Sequence, residues 1–172
     1  MSGDLMYEVE IKEVVRQAYS EITTGAGEAV ARRLYSEEEL VQVPPGAVDW
    51  SLGVGNPVRY GFLEPGEVVL DVGSGGGIDT ILAARRVGPE GRAVGLDIIE
   101  EMRERARRHA TEAGVEGWTE FRLGEMEAIP MPDESVDVVI SNGVLNLSAR
   151  KSRALARSSV SFGPGAASPS PI

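Results

Sequence analysis

Short apolar runs alternate with amphipathic stretches between Pro65 and Ser141, and that alternation sets the secondary structure to expect. Val68-Val69-Leu70-Asp71-Val72 is short, rich in β-branched residues and almost wholly apolar, the composition of a buried strand. Ile78 to Val87 then reads as a helix, Arg92 to Ile98 as a strand, Glu100 to Ala113 as a helix, Thr119 to Leu123 as a strand and Val136 to Ser141 as another strand. Strands separated by helical segments imply right-handed crossovers and a parallel sheet. The expected fold class is α/β, the first half of a doubly wound sheet with about four parallel strands and flanking helices.

Upstream the periodicity is helical. Val9, Lys12, Val15, Tyr19 and Ile22 fall three or four apart with Glu, Lys and Arg between them, which predicts an amphipathic helix over Glu8 to Ile22. A second helical stretch follows Thr24-Gly25-Ala26-Gly27 and runs to about Leu40. Within it Ser36 has the place of an N-cap, and Glu37, Glu38 and Glu39 occupy a first turn, where carboxylates meet the positive end of the helix dipole. Pro44-Pro45-Gly46 and Gly53-Val54-Gly55-Asn56-Pro57 mark a long irregular segment, of a length that inside a compact domain is usually functional or disordered. Residues 1–61 are thus expected to form an N-terminal helical cap with a covering loop, and 62–157 the core. Ala154 to Arg157 can continue a helix, but 158–172 is Ser, Pro, Gly and Ala with almost no apolar content, the composition of a disordered tail.

The chain has 172 residues, 42% hydrophobic and 26% charged, which describes one soluble globular domain with a modest core. Charge narrows the partners. With 27 acids against 17 bases the net charge is -10, and duplex affinity comes mostly from clustered Lys and Arg, so no nucleic-acid partner is expected. The run Arg103-Glu104-Arg105-Ala106-Arg107-Arg108-His109 looks basic in isolation. Glu100, Glu101, Glu104 and Glu112 share its helix, so a solvated face with i,i+4 pairs is expected, with no functional role for His109. No apolar run is long enough to span a bilayer and Met1 to Glu10 carries acids, so neither a membrane partner nor a secretory signal is expected, and the default location is cytoplasmic. The absence of cysteine removes disulfides, thiolate zinc sites and Cys nucleophiles, while a single histidine argues against a His-based metal site or a Ser-His-Asp triad. No metal is expected.

Asp71-Val72-Gly73-Ser74-Gly75-Gly76-Gly77 leaves the first of these strands and enters a helix. Glycines there let the backbone turn sharply and approach a ligand without Cβ atoms in the way, and the helix offers free N–H groups. The spacing is G-x-G-x-G with an acid two residues upstream, and Ile78 stands where a G-x-G-x-x-G fingerprint has its last glycine. That favours S-adenosylmethionine over a dinucleotide, because no pyrophosphate need be cradled, and disfavours an NAD or nucleotide-sugar domain. Asp97 ends the next strand, where its carboxylate can accept hydrogen bonds from both ribose hydroxyls, with Ile98 beside it. Gly124-Glu125-Met126 follows the third strand, the usual place to contact an adenine edge. Each piece alone has an ordinary explanation as a turn or a helix-start acid; the sequence of three at successive strand ends points to a cofactor site. Its expected residues are Asp71, Gly73, Ser74, Gly75, Gly77, Asp97, Ile98, Gly124, Glu125 and Met126, with Asn142 from the end of the fourth strand.

On these residues the sequence resembles the class I S-adenosylmethionine-dependent methyltransferases, and within them the arsenite methyltransferase family. The resemblance runs from roughly Tyr19 to Ala156. It rests on Ser51-Leu52-Gly53-Val54-Gly55-Asn56-Pro57, on Val69-Leu70-Asp71-Val72-Gly73-Ser74-Gly75-Gly76-Gly77, on Val87-Gly88-Pro89-Glu90-Gly91, on Gly95-Leu96-Asp97 and on Ile140-Ser141-Asn142-Gly143-Val144-Leu145-Asn146-Leu147-Ser148. It implies a Rossmann-like methyltransferase fold, S-adenosylmethionine as cofactor and methyl transfer to a small-molecule acceptor. Such transfer is an in-line displacement at a sulfonium, so the protein positions the reactants and shapes the field around a disappearing positive charge, and no triad is implied. By resemblance, Tyr19 and the loop Leu52 to Pro57 close over the methionine end, while Ser141 and Asn142 line the floor beside the acceptor. Read from the residues alone, Tyr19 is equally a core aromatic and Asn142 a strand-end turn. The family holds trivalent arsenic with cysteine thiolates, two of which fall in matching segments, at the positions of Val54 and Gly143. Soft As(III) calls for soft thiolate sulfur, and this chain has no cysteine.

A complete fold of this class adds three more strands, so the resemblance also implies a chain cut short. The expected consequences are an open edge on the fourth strand, uncovered apolar faces, low stability and self-association through that edge. A cofactor-binding fragment without turnover is the alternative to an active enzyme. Of the 17 basic residues only Lys12 and Lys151 are lysines, a bias that points to GC-rich codons. Back-translated in such codons, Ala156 to Ile172 can be read in a shifted frame as E-V-F-R-V-L-R-P-G-G-R-L-A-V-S-D. That string is an apolar helix end, a Pro-Gly-Gly turn and an alternating strand, so a frame shift near the Ala156 codon is the expectation.

Overall fold

The apolar runs form four parallel strands in one sheet: β1 (Val68–Val72), β2 (Arg92–Asp97), β3 (Thr119–Leu123) and β4 (Val138–Ser141), in the order β3-β2-β1-β4. These come from a computed structural model that describes residues 26–126, 128–132 and 135–143. The helix expected over 8–22 with Tyr19, and the stretch from 144 onward with its proposed frame shift, lie outside the described residues.

Parallel register decides where a ligand can sit. Val72 lies beside Leu96 of β2 on one side and Ser141 of β4 on the other, so three strand ends converge. The chain leaves β1 for α5 (Ile78–Val87), which leads to β2, whereas β4 flanks β1 from the opposite side; the order of strands therefore reverses at β1. In open α/β sheets the crevice at such a reversal is where ligands bind. Period-two alternation divides the core between the two faces of the sheet. Val69, Val138, Ile140 and Phe121 pack with Ile81 and Val87 of α5 and with Ala106 of α6 (Glu100–Glu112). Leu70, Val72, Val94 and Leu96 pack with Met126, and Val139 lies against them.

Expected and observed bounds differ at a few points, each for a local reason. β2 stops at Asp97, whose carboxylate is turned onto backbone N–H groups rather than carried on in the ladder. The helix expected to run to Leu40 is two helices, α1 (Ala26–Leu34) and α2 (Glu37–Leu40), because Ser36 is extended and caps the second. Its hydroxyl accepts from Glu39 N–H while the Glu39 carboxylate accepts from Ser36 N–H, a reciprocal capping box. The segment expected to be irregular contains α3 (Pro45–Asp49) and α4 (Pro57–Tyr60), each opened by a proline at its first position. In Gly-Asn-Pro, Asn56 is the N-cap of α4: its side chain accepts from Arg59 N–H at 3.0 Å. Its amide also donates to Glu39 Oε2 at 3.0 Å, the same oxygen that takes the Arg59 guanidinium, so α2 and α4 share one carboxylate.

Asn56 is 4% exposed. Replacing it by Ala removes the cap and leaves Glu39 short of a donor, an expected loss of about 1–2 kcal/mol. Urea unfolding measures it; an unchanged midpoint contradicts the assignment of Asn56 as the joint between these helices.

Candidate functional site

The loop from Gly73 to Gly77 has glycines where the backbone demands them. Gly73, Gly75 and Gly77 have φ of +79°, +50° and +89°, a region that costs other L-residues steric strain. The loop is bonded onto the end of β2: Gly73 and Ser74 N–H both donate to the Leu96 carbonyl, at 2.7 and 3.0 Å, and Gly75 N–H donates to Asp97 Oδ2 at 2.9 Å. At Gly75 a Cβ would meet nothing within 4 Å, whereas on the far side of the turn a Cβ at Gly76 would stand 2.7 Å from Trp50 Cβ. One side of the loop is open and the other is packed.

Three acids surround it. Asp97 Oδ1 accepts from Ile99 N–H at 2.9 Å, so each carboxylate oxygen already has one backbone donor. Burial raises its pKa, and the Ile99 and Gly75 N–H groups offset part of that rise. Asp71 is fully enclosed on the face covered by α5 and accepts the Thr80 hydroxyl at 2.7 Å. Burial, and next the neighbouring Asp79, push its pKa well above the usual carboxylate range. Asp79 lies in the first turn of α5, and burial raises it to about 6 against the opposing hydrogen bonds from Asn142 and Tyr35.

Asn142, one residue past β4, ties this helix to the loop that follows α3. Its Oδ1 accepts from Val54 N–H at 2.8 Å and Gly55 N–H at 3.0 Å. Its Nδ2 faces the Gly55 carbonyl at 2.8 Å, Asp79 Oδ2 at 2.9 Å and the Tyr35 hydroxyl oxygen at 3.1 Å. Tyr35 in turn donates its hydroxyl to Asp79 Oδ1 at 2.8 Å, and burial, followed by the charge of Asp79, raises the Tyr35 pKa. A Cβ on Gly53 would lie 2.1 Å from Asn142 Nδ2, so glycine is what lets the loop dock on the amide. The docking brings positions 54 and 143 face to face: a Cβ built on Gly143 would be 3.9 Å from Val54 Cγ2. Asn142 is thus a clamp for the 53–55 loop. Ser141 donates its hydroxyl to the Val72 carbonyl at 2.9 Å, across the strand pair.

At the end of β3, Gly124 N–H donates to the Asp97 carbonyl at 2.9 Å and Glu125 bridges to Ala128. Met126 is buried in the core with Leu70 and Leu96, and Ile98 is half-buried beside Asp97. Tyr19 lies outside the described residues. Sequence reasoning missed Tyr35 and Asp79, and it placed Gly53 in the covering loop without its contact to Asn142. Asp79 left a trace as an acid set between Ile78 and Ile81 on a helix whose apolar neighbours are buried. α6 carries the expected i,i+4 pairing in Arg105–Glu101, while Arg103–Glu100 and Arg107–Glu104 are i,i+3 pairs, and His109 is not merely part of a solvated face: its Nδ1 lies 2.8 Å from the Gly76 carbonyl oxygen. Among the described residues no cluster of His, Asp or Glu could hold a metal ion, and no helix is long and apolar enough to cross a membrane.

The raised Asp79 pKa carries a pH signature. Between its ordinary value near 3.8 and about 6, the folded protein holds a proton that the unfolded chain has released. This contribution favours the fold at low pH and is lost as pH rises through about 6. Asp79→Asn keeps an acceptor for Tyr35 and removes the titration. Urea unfolding from about pH 4 to about pH 7.5 should show the stability of the variant relative to wild type rising with pH; a flat difference contradicts burial of an ionisable Asp79.

Similarity to known proteins identifies the family and the fold. The family described as "Methyltransferase domain" matches residues 63–161. The arsenite methyltransferase of Halobacterium salinarum is 47% identical over 119 residues, covering 69% of this chain and 30% of that protein. A ubiquinone/menaquinone biosynthesis C-methyltransferase of Hydrogenovibrio crunogenus is 38% identical over 99 residues, covering 57% of this chain and 39% of that one. Among solved structures, an arsenic(III) S-adenosylmethionine methyltransferase from Chlamydomonas reinhardtii superposes with a TM-score of 0.64 at 36% identity, covering 74% of this chain and 45% of that one. The chain spans between 30% and 45% of the length of these relatives. With more than half of its residues matched by the family and the four-stranded parallel sheet in place, the chain belongs to the methyltransferase-domain family, the S-adenosylmethionine-dependent class of Rossmann-like fold.

Proposed function

We propose that the chain binds S-adenosylmethionine at the converging ends of β1 and β2 and serves methyl transfer to a small-molecule acceptor other than arsenite. Gly75 carries the proposal. Its positive φ, its N–H fixed on Asp97 and the open space where a Cβ would stand make an uncluttered backbone surface beside a buried acid. The site suits this ligand on two further counts. Ser74 Oγ is buried and finds no hydrogen-bond partner among the described residues, an orphan that a polar ligand atom satisfies. Asp71, Asp79 and Asp97 are all raised by burial, and a ligand carrying a sulfonium and an ammonium offsets the cost of enclosing them.

In this reading Asp97 uses the remaining lone pairs of its two oxygens for the ribose hydroxyls. Gly73 and Ser74 shape the loop, and Gly77 opens α5 behind it. Ile98 and the Gly124-Glu125-Met126 turn flank the adenine. Asp71 holds the start of α5 through Thr80 and contributes negative field. Asn142 keeps the 53–55 loop over the acceptor side, with Ser141 beside it and Tyr19 as the aromatic partner from the N-terminal segment. Bound here, S-adenosylmethionine would supply an electrophilic methyl group for in-line displacement.

The exclusion of arsenite rests on positions 54 and 143. They hold Val and Gly, and the chain has no cysteine anywhere. Nor is Gly143 a ready place for a thiol: its φ of +91° would strain any L-residue there by about 1–2 kcal/mol. Thiolate-held As(III) therefore lacks both ligands and a backbone suited to one of them.

Calorimetric titration with S-adenosylmethionine, S-adenosylhomocysteine and NAD tests the binding. The first two should bind and NAD should not, and Asp97→Ala should weaken S-adenosylmethionine by about tenfold or more. Equal binding of NAD, or an unchanged affinity in Asp97→Ala, overturns the reading. Labelled methyl transfer to small hydroxyl, amine and carbon acceptors, run beside arsenite, tests the chemistry. Preferential labelling of arsenite contradicts it, and cofactor binding with no labelled product leaves a noncatalytic binding protein.

A further inference from the structure

The glycine loop that makes an open backbone surface is also a loop that side-chain sterics cannot hold in shape. With φ positive at Gly73, Gly75 and Gly77, the orientation of each peptide plane is set by its hydrogen bonds. The first three N–H groups are bonded to β2, through the Leu96 carbonyl and the Asp97 carboxylate. Gly77 N–H donates back to the Ser74 carbonyl at 2.8 Å, and the Gly77 carbonyl accepts Ile81 N–H at 2.9 Å. Between them the Gly76 carbonyl, which shares its peptide plane with Gly77 N–H, meets a side chain, His109 Nδ1 at 2.8 Å.

The surroundings of the imidazole fit a clamp. A carbonyl only accepts, so Nδ1 must carry the hydrogen. The opposite nitrogen lies against α3: a Cβ on Gly46 would stand 2.6 Å from Nε2, so the ring fits only because position 46 has no side chain. The same face of α6 touches the loop again, with Ala106 Cβ 3.0 Å from a Cβ built on Gly77. Arg105 lies over the Trp50 ring, 3.9 Å from its centroid, and Trp50 is the residue packed against Gly76. A half-buried histidine pressed between a helix and a glycine loop, with its Nδ1–H donating to the loop's Gly76 carbonyl, is held on more than one side.

We propose that His109 is a positioning residue for cofactor binding, which it serves by holding the Gly76–Gly77 peptide plane through an Nδ1–H donor and so fixing the open face at Gly75. This rests on the reading that the loop binds S-adenosylmethionine. Loss of the donor leaves that plane held only by the Gly77 N–H bond to the Ser74 carbonyl, and ligand affinity falls even where the fold survives.

Side-chain geometry supplies the test. The amide nitrogen of Asn reaches the place of imidazole Nδ1, while that of Gln reaches the place of Nε2. S-adenosylmethionine affinity should fall about tenfold or more in His109→Ala and His109→Gln and stay within about threefold of wild type in His109→Asn, with thermal midpoints recorded in parallel. Gly46→Ala, which presses on the ring, should weaken binding in wild type and have no further effect in His109→Ala. Equal affinity in all variants, or losses that follow thermal stability with Asn no better than Gln, overturns the proposal. The ligand-free protein gives an independent readout. Imidazole 15N resonances should show a hydrogen on Nδ1, and the Gly77 amide resonance should shift in His109→Ala and return in His109→Asn. A ring protonated only at Nε2 overturns the clamp. A wild-type chain that binds no S-adenosylmethionine yet shows these resonances refutes the cofactor reading while leaving the clamp in place.

Discussion

The carbonyl of Leu96 accepts two N–H groups from the chain that leaves β1, and the carboxylate next to it accepts a third. Parallel pairing sets Val72 beside Leu96, so the chain must turn across the end of β2 to reach α5, and it turns by hanging its backbone on that strand. A turn so tight needs positive φ at Gly73, Gly75 and Gly77, and glycine in turn gives the site its open backbone. The same bonds fix Asp97 at the edge of the opening. Position, backbone surface and charge at the candidate site all descend from this one junction.

A second joint answers it from the opposite side of β1. The Asn142 amide acts as a substitute for backbone, accepting two N–H groups of the 53–55 loop and donating to one of its carbonyls. Through Asp79 and Tyr35 it also grips the start of α5. The polar network is satisfied, but it encloses carboxyl groups whose burial opposes ionisation. Enclosed acid beside an orphaned hydroxyl is costly in an empty protein and well matched to a cationic ligand, which is why the chemistry of the site points to the same cofactor as the family.

How much of this was legible in the sequence follows from the range of each interaction. β1, α5 and β3 fall where periodicity puts them, because glycines punctuate both ends of the glycine-loop helix and the apolar runs are unambiguous. α3 and α4 escaped because five and four residues are too few to show a period, although Pro45 and Asn56-Pro57 are start signals that a closer reading of caps would have used. Asp79 and Tyr35 are 44 positions apart, and an acid in a first turn has an ordinary explanation, so nothing local marks their bond. His109 was hidden by its neighbours: Arg107 and Arg108 precede it, and the buried face of α6 is marked only by Met102, Ala106 and Ala110, too few apolar residues to show that His109 borders it. Asn142 was visible as a candidate, but its role as a clamp depends on Gly53, which belongs to a segment nearly ninety positions away by the separation of the Gly55 and Asn142 bonds, 87.

A crystal structure grown with S-adenosylhomocysteine tests whether the junction of β1 with β2 is the cofactor seat. Ribose hydroxyls are expected within hydrogen-bonding distance of both Asp97 carboxylate oxygens, with the ligand lying against the backbone of Gly75. A ligand bound elsewhere on the chain, or one in this crevice with its ribose turned away from Asp97, would contradict it.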